Sequence, residues 1–502
     1  MKLLYILNIC LIITVTLVKA TTYESLGIDI IQKQLAEEKM IEESTLPVIN
    51  ISTRNNSEPI LSRDIYTEAV IDIINVEDNY KINEKPTRIK LRGNSSSYNG
   101  NIEKMKGHLL PYKIKFDKKI NMLGLHNGEK FKDWVFLKPV WNIISNDFAF
   151  KVGRIIFENT EIFVTDVKFF NLYINDEFQG IYLLCEHNQV NEKKVNVMVP
   201  EKNYTSTDIG YYFEINNYYK RETRYFQLNY ENATVTDIIG ETRKFIEAEY
   251  TMKSDIYSQE QFDFIGNYTQ NVFKIIYLAI EKNEYKTFDE NYNLVNSTFT
   301  NSQDTISAVL DIESAVDMYL LYETVHDNDC GDGSFYFAID FSKNSKIKKL
   351  QMTSPWDFDW GYNYFGESPD RYLTGVFNDK SFVEAKGDRT NPWFVLLIKE
   401  QWFHQLVSNK WASVSEKIHA QLVNEKELVE NTPEFYKYTP DDRYNRFITT
   451  SVWLEERFHW MDNVFVPVEN ENFIDTDDIP EVIEFEETSI ADEDEDSYDE
   501  EI

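Results

Sequence analysis

The hydrophobic pattern of this chain changes period once, and that change limits the fold more than any other feature. Between Leu46 and Ile215 the apolar residues fall in short runs bounded by polar turns: Leu46-Pro-Val-Ile-Asn-Ile51, Glu68-Ala-Val-Ile-Asp-Ile-Ile74, Trp134-Val-Phe-Leu137 and Tyr211-Tyr-Phe-Glu-Ile215. Thr87-Arg-Ile-Lys-Leu-Arg92 and Tyr112-Lys-Ile-Lys-Phe116 alternate strictly, as half-buried strands do. Val167 to Ile174 and Gly180 to Glu186, joined across Asn175-Asp176, read as a hairpin. Only Asn142 to Phe157 interrupts this with helical spacing. From Asp263 onward the pattern is helical: Asp263 to Lys282, Ile312 to His326, Gln401 to Ala420 and Tyr444 to Val464. The order of elements predicts an α+β protein, with a β-rich N-terminal lobe followed by a mainly helical C-terminal lobe.

The ends differ from this body. Lys2, the apolar stretch Leu3–Val18 and the small-residue site ending at Ala20 predict a signal peptide over 1–20, so the mature protein is expected to be secreted, extracellular or at the cell surface. Residues 21–45 form an N-terminal segment with one short helix expected, and 46–466 the main domain. Residues 467–502 are an acidic tail expected to be disordered. No later stretch reaches the length of a membrane span. Seven glycosylation sequons, at Asn50, Asn55, Asn94, Asn203, Asn232, Asn267 and Asn296, suit a secretory route. Beyond the leader only Cys185 and Cys330 remain, enough for one disulfide and too few for a disulfide scaffold.

Of the net charge of −34, half lies in the 34 residues from Glu469 to Ile502, which hold 17 acidic residues and no Lys or Arg. Such a chain repels nucleic acid. A basic protein substrate, rich in Ser, Lys or Arg, suits the charge better; the charge says nothing about oligomeric state.

The chemistry concentrates in two segments. Asp329-Cys-Gly-Asp-Gly-Ser334 sets a carboxylate five residues ahead of a small polar residue on a Gly-rich turn, and Pro355-Trp-Asp-Phe-Asp359 adds two more carboxylates. Protein kinases use this order, a catalytic Asp, a metal ligand five positions on and then a metal-binding Asp near Gly. Scattered histidines, no Gly-x-Ser-x-Gly elbow and an incomplete calcium loop (Ala338 stands where its Glu would be) weaken other readings.

These segments stand with Arg92-Gly-Asn-Ser-Ser96, Pro111-Tyr-Lys-Ile-Lys-Phe-Asp117, Lys132-Asp-Trp-Val135, Phe148-Ala-Phe-Lys-Val-Gly-Arg154, Gly180–Glu186, Gly210-Tyr-Tyr-Phe-Glu214 and Asn391-Pro-Trp-Phe394. Together and in this order they resemble the CotH kinase family, atypical kinases known from spore coats and secreted proteins. The resemblance implies an atypical protein-kinase-like two-lobed fold and transfer of the ATP γ-phosphoryl group to serine on a protein. It implies ATP with Mg2+, or Mn2+ in its place. It makes Asp329 the catalytic Asp and Asp357 the metal ligand, with Asp359 and Ser334 as further metal candidates. Lys113, with Lys115 beside it, is the candidate for the ATP phosphates. Glu186 is its candidate partner, with Glu214 as competitor, and Arg92, Asn94 and Ser95 form a candidate phosphate loop. Two departures stand out: Ser334 where the family often has Asn, and Ser145-Asn146 where it has Arg-Asn. They keep open the alternative of a catalytically weak surface, coat or adhesion protein.

Overall fold

A computed structural model describes residues 44–230, 234–364, 366–377, 390–438 and 442–467. The expected signal peptide, nearly all of the 21–45 segment and all but the first residue of the acidic tail lie outside these residues, as does the sequon at Asn232. The described residues from Ser44 to Val466 belong to one compact unit.

Seven strands close into a barrel: β1 (Val48–Thr53), β2 (Thr67–Ile74), β3 (Ile82–Leu91), β4 (Tyr112–Ile120), β5 (Phe131–Leu137), β6 (Val167–Ile174) and β7 (Glu177–Glu186), in the order 1-2-3-4-5-7-6. Neighbours are antiparallel except β1 and β6, whose parallel pairing seals the barrel. The two-residue alternation fills its interior. Ile49 and Ile51, Ile71 and Ile73, Ile89 and Leu91, Ile114 and Phe116, Trp134 and Phe136, Phe170 and Leu172, and Tyr182 and Leu184 form one buried cluster. The alternate residues of β5, β6 and β7, among them Val135, Val167, Phe169, Leu183 and Cys185, face out into a second, larger core. That is why these three strands read as continuously apolar while β3 and β4 alternate with charge.

The hairpin turn falls where the sequence predicts it, with Asn175 and Asp176 both left-handed (φ 53° and 63°), matching the twist of the strands. β3 begins five residues before its expected start, because Pro86 sits within the strand, opposite Val70.

A second, antiparallel sheet follows, built from β8 (Gly210–Ile215), β9 (Tyr225–Gln227), β10 (Glu249–Met252), β11 (Phe335–Asp340) and β12 (Gln351–Thr353) in the order 12-11-8-10-9. The main helices are α1 (Ser145–Ile156), α2 (Gln259–Lys282), α3 (Ile312–Val325), α4 (Pro392–Ile398), α5 (Gln401–Glu430) and α6 (Arg443–Val464). Helix α2 starts earlier than its apolar period predicts. Ser258 and Gln261 form a reciprocal capping box there, a signal legible as Ser-x-x-Gln. Helix α3 is buried along nearly its whole length and α1, α5 and α6 pack around it.

The content is therefore mixed α and β, with the β-rich region first and the helical region last. Cys185 and Cys330 are both buried and free. Among the described residues no helix is long and apolar enough to cross a membrane. Asn55, Asn203, Asn267 and Asn296 are exposed, whereas Asn50 lies in β1 with its amide donating to Asp176 at 2.7 Å.

Candidate active site

Helix α3 delivers the first acidic segment. The helix is capped at its start by the Asp311 carboxylate, which accepts from Ser314 N–H, and ends at His326 in a left-handed conformation (φ 45°). The turn that follows is held at several points. Asp332 and Gly333 donate their N–H groups to the Asp329 carbonyl, each at 2.8 Å. The buried Asn391 amide donates to the Cys330 carbonyl at 3.0 Å while its Oδ1 caps α4, and Asn217 donates to the Asp332 carboxylate at 2.7 Å. Asn391-Pro-Trp-Phe394 thus acts as a brace for the Asp329 turn.

The second acidic segment follows β12. Asn146, at the start of α1, accepts from Phe358 N–H at 2.9 Å and donates to the Asp359 carboxylate at 2.6 Å, so one side chain fixes both backbone and carboxylate. Asn328 donates to the Trp360 carbonyl at 2.7 Å, and His326 Nδ1 donates to the Tyr362 carbonyl at 2.9 Å. These bonds draw the two acidic segments together. Gly361 permits the approach, since a Cβ there would meet the Val325 carbonyl oxygen at 3.0 Å.

A cleft of about 660 Å3 results. Asp329, Ser334, Asp357 and Asp359 line it; so do Arg92 and Asn94 from the loop after β3, His187 after β7, and Glu214, Glu222 and Lys253 from the second sheet and its loops. Arg92-Gly-Asn-Ser-Ser96 makes a compact turn in which Gly93 is left-handed (φ 81°), so a side chain there would be strained and would displace the Ser96 hydroxyl, which lies 2.1 Å from the Cβ position. Ser334 and Asp357 are both left-handed (φ 54° and 68°), and the Ser334 hydroxyl donates to Asp357 at 3.4 Å. Non-glycine residues are held in that conformation only when their surroundings over-determine it, a frequent property of functional loops. The Arg92 guanidinium lies 5.5 Å from the Trp356 ring centre.

Two of the cleft carboxyls, Asp357 and Asp359, are shifted by their surroundings. Burial pushes the Asp357 carboxyl up. Burial and then the Asp357 charge push Asp359 up to about 8, against the pull of Asn146, Arg92 and Lys138. Neighbouring carboxylates that resist ionising together are relieved by a bound cation, and Mg2+ is commonly held by one or two carboxylates with the remaining ligands supplied by phosphates and water. Asp357 and Asp359 therefore fit a divalent ion.

A pH dependence follows. Because the folded-state value of Asp359 lies above its unfolded one, its contribution to stability is complete below the usual carboxylate range and is lost as pH rises through about 8. Without divalent cation the melting temperature should fall over that range. Adding Mg2+ should reduce the fall, and Asp359→Asn should flatten it; thermal melts between pH 4 and 9 check both.

Lys113, Lys115 and Glu186 are placed elsewhere. Lys113 pairs with Asp133 at 3.2 Å, and Glu186 is fully buried against His126 at 2.8 Å and Thr165 at 2.7 Å. The pleat explains why the expected Lys113–Glu186 pair does not form. Lys113 shares a cross-strand row with Val135 and Cys185 on the outer face of the barrel, whereas Glu186 shares the inner-face row with Ile114 and Trp134. Lys115 lies further along the outer face, opposite Arg88 and Asp133. None of the three lines the cleft.

The Lys–Glu pair that does line it is Lys253–Glu214, at 2.8 Å, with Glu222 on the same ammonium at 2.9 Å. Burial works against the charge on Lys253, but the two carboxylates outweigh it and hold its pKa above the ordinary value. Glu214 was legible as the competitor to Glu186. Lys253 carried no signal, being a single lysine after a short strand. His187, directly after β7, carried no signal in the sequence either; burial and then the surrounding Lys113, Arg92, Lys194 and Lys253 charges drive its pKa well below the ordinary value.

A family model described as CotH kinase protein matches residues 89–456, well over half of the chain. This chain belongs to the CotH kinase family. The match begins within β3, just before the Arg92 loop, and ends in α6, so it takes in every cleft residue named above. No curated protein matches the chain.

Proposed function

We propose that this CotH kinase family member is a secreted Mg2+-dependent kinase that transfers the γ-phosphoryl group of ATP to a serine hydroxyl of a protein. The observation that carries the reading is the meeting, in one cleft, of three carboxylates from two separate segments with the cations Arg92 and Lys253. A polyphosphate needs cations along its length, and its transfer needs carboxylates for the metal and for the entering hydroxyl. In this reading the barrel and the helical region play the parts of two lobes flanking the cleft.

Asp357 and Asp359 would hold the ion, which when bound withdraws charge from the phosphate oxygens. Asn146 keeps Asp359 aimed into the cleft. Lys253, oriented by Glu214 and Glu222, and Arg92, set against Trp356, would bind the phosphates. Asp329 would accept a hydrogen bond from the serine hydroxyl and take its proton as the new P–O bond forms.

Calorimetry tests the metal site. Asp357→Ala should abolish Mg2+-dependent ATP affinity, because a methyl group cannot ligate the ion, and unchanged affinity would remove Asp357 from that role. The rival reading, a CotH-like surface or coat protein with weak catalysis, draws on Ser334, whose hydroxyl is a poorer Mg2+ ligand than the amide often found there. It predicts no Mg2+-dependent ATP affinity in the unsubstituted protein.

A further inference from the structure

The first turn of α1 carries a buried charge imbalance that the proposed transfer does not use. Lys151 Nζ lies 2.7 Å from Asp147 Oδ2, one turn back on the same helix, and 2.7 Å from Glu425 Oε1 on α5. Both carboxyl groups are buried, and one ammonium cannot neutralise two carboxylates. Gln421 donates at 2.6 Å to the oxygen that Lys151 already holds, Glu425 Oε1. The remaining oxygens, Asp147 Oδ1 and Glu425 Oε2, are buried and meet no donor among the described residues. Yet the two carboxyls stand within hydrogen-bonding reach of each other. Buried acceptors are rarely left without a donor. One proton held between the carboxyls satisfies both oxygens and neutralises the site.

The charges on the surrounding elements have partners of their own. On α3, Asp317 is held by Lys410 and Glu323 by Arg457; on α6, Glu455 is held by Lys426. Tyr362 is buried nearby, and the Asp147, Glu425 and Asp327 charges all act on its hydroxyl. Burial and then the Asp147 charge push Glu425 up to about 8, against the pull of Lys151. Asp147 sits in the first turn of α1, where the helix dipole favours negative charge, so the proton belongs to Glu425. Burial also pushes Asp317 up, to about 7, so Glu425 has to be told apart from it by substitution.

The same turn of α1 grips the metal segment. The Ser145 carbonyl accepts from the Tyr362 hydroxyl at 2.7 Å, and Asn146 holds Phe358 N–H and the Asp359 carboxylate. Ser145, Asn146 and Asp147 therefore link Glu425 to the segment that carries Asp357 and Asp359.

We propose that Glu425 is a positioning residue for the metal segment, sharing with Asp147 one proton that draws α5 onto the first turn of α1. Loss of the proton leaves two buried anions on one ammonium, which pushes the helices apart and loosens the hold of Asn146 on Asp359. This rests on the reading of Asp357 and Asp359 as metal ligands and adds to it a dependence on pH. Because the folded-state value of Glu425 is raised, its contribution is complete below the usual carboxylate range and is lost as pH rises through about 8.

Infrared difference spectroscopy on the full-length protein reads the proton directly. In an Asp359→Asn background, a carboxylic-acid C=O band should vanish as pH rises through about 8, and Glu425→Gln should lack that band. Asp147→Asn removes the neighbouring charge and should move the loss of the band to lower pH. Calorimetry reads the coupling. Glu425→Gln keeps an oxygen for Lys151 and offers Asp147 an N–H in place of the proton. With Asp359 intact, its Mg·ATP affinity should match that of the unsubstituted protein near pH 6 and exceed it by about threefold or more near pH 9. Affinities that change with pH in parallel in the two proteins would overturn the proposal, as would a set of acid bands unaltered by Glu425→Gln. Unsubstituted protein that binds no Mg·ATP at any pH would defeat the metal reading and the coupling with it, while the infrared band reports the proton by itself.

Discussion

Asp329→Asn should lower phosphoryl transfer by about 10²–10⁴-fold, the range in which a positioned general base contributes, and leave Mg·ATP affinity unchanged. The substitution keeps the shape of the side chain and removes its ability to accept a proton. The backbone of the turn holds its place through the Asp332 and Gly333 N–H groups, which bond the Asp329 carbonyl, and through the Asn391 amide, which bonds the Cys330 carbonyl. A loss confined to kcat is therefore expected. Single-turnover kinetics alongside nucleotide calorimetry would read it, and a full rate in the variant would assign the proton to another group.

Glu323→Ala should destabilise the protein by about 3–5 kcal/mol, as removal of one partner from a buried ion pair does elsewhere. Glu323 lies on α3 and Arg457 on α6, and both side chains are fully buried. The Arg457 guanidinium is completely engaged. It bonds the Glu323 carboxylate, the Glu323 carbonyl at 3.2 and 3.0 Å, the Pro369 carbonyl at 2.8 Å and the Arg371 carbonyl. The carboxylate in turn accepts from Leu373 N–H at 3.1 Å and Thr374 N–H at 2.6 Å. Truncating Glu323 would leave an arginine charge in the core and two amide donors without their acceptor. Urea unfolding of the variant measures the cost. Replacing Glu323 and Arg457 together with apolar residues should cost less than Glu323→Ala, because no charge then remains buried.

Much of this was legible beforehand because it is local. The alternation of β3 and β4, the Asn175-Asp176 turn and the apolar stripe of α2 depend on backbone geometry and on which side of one element meets water. These act over a few residues, so they can be read from a few residues. The Asp329 and Asp357–Asp359 segments were legible for a related reason, since carboxylates at fixed spacing on Gly-rich turns have few structural uses.

The partners within the cleft were a different matter. Lys113 was the better candidate by position in its strand, yet the cross-strand row of β4, β5 and β7 turns it to the outer face and Glu186 to the inner one. That depends on register among three strands, which no single strand encodes. Lys253 meets Glu214 because β8 and β10 pair, and Arg63 meets Arg221 because the barrel and the second sheet each bring one of them to Asn94. The sequence alone determined the barrel strands, the main helices, the two acidic segments and the family, and it missed the short strands that complete the second sheet. Tertiary structure decided which cations face those carboxylates, because a charge is placed by whatever buries the far side of its strand.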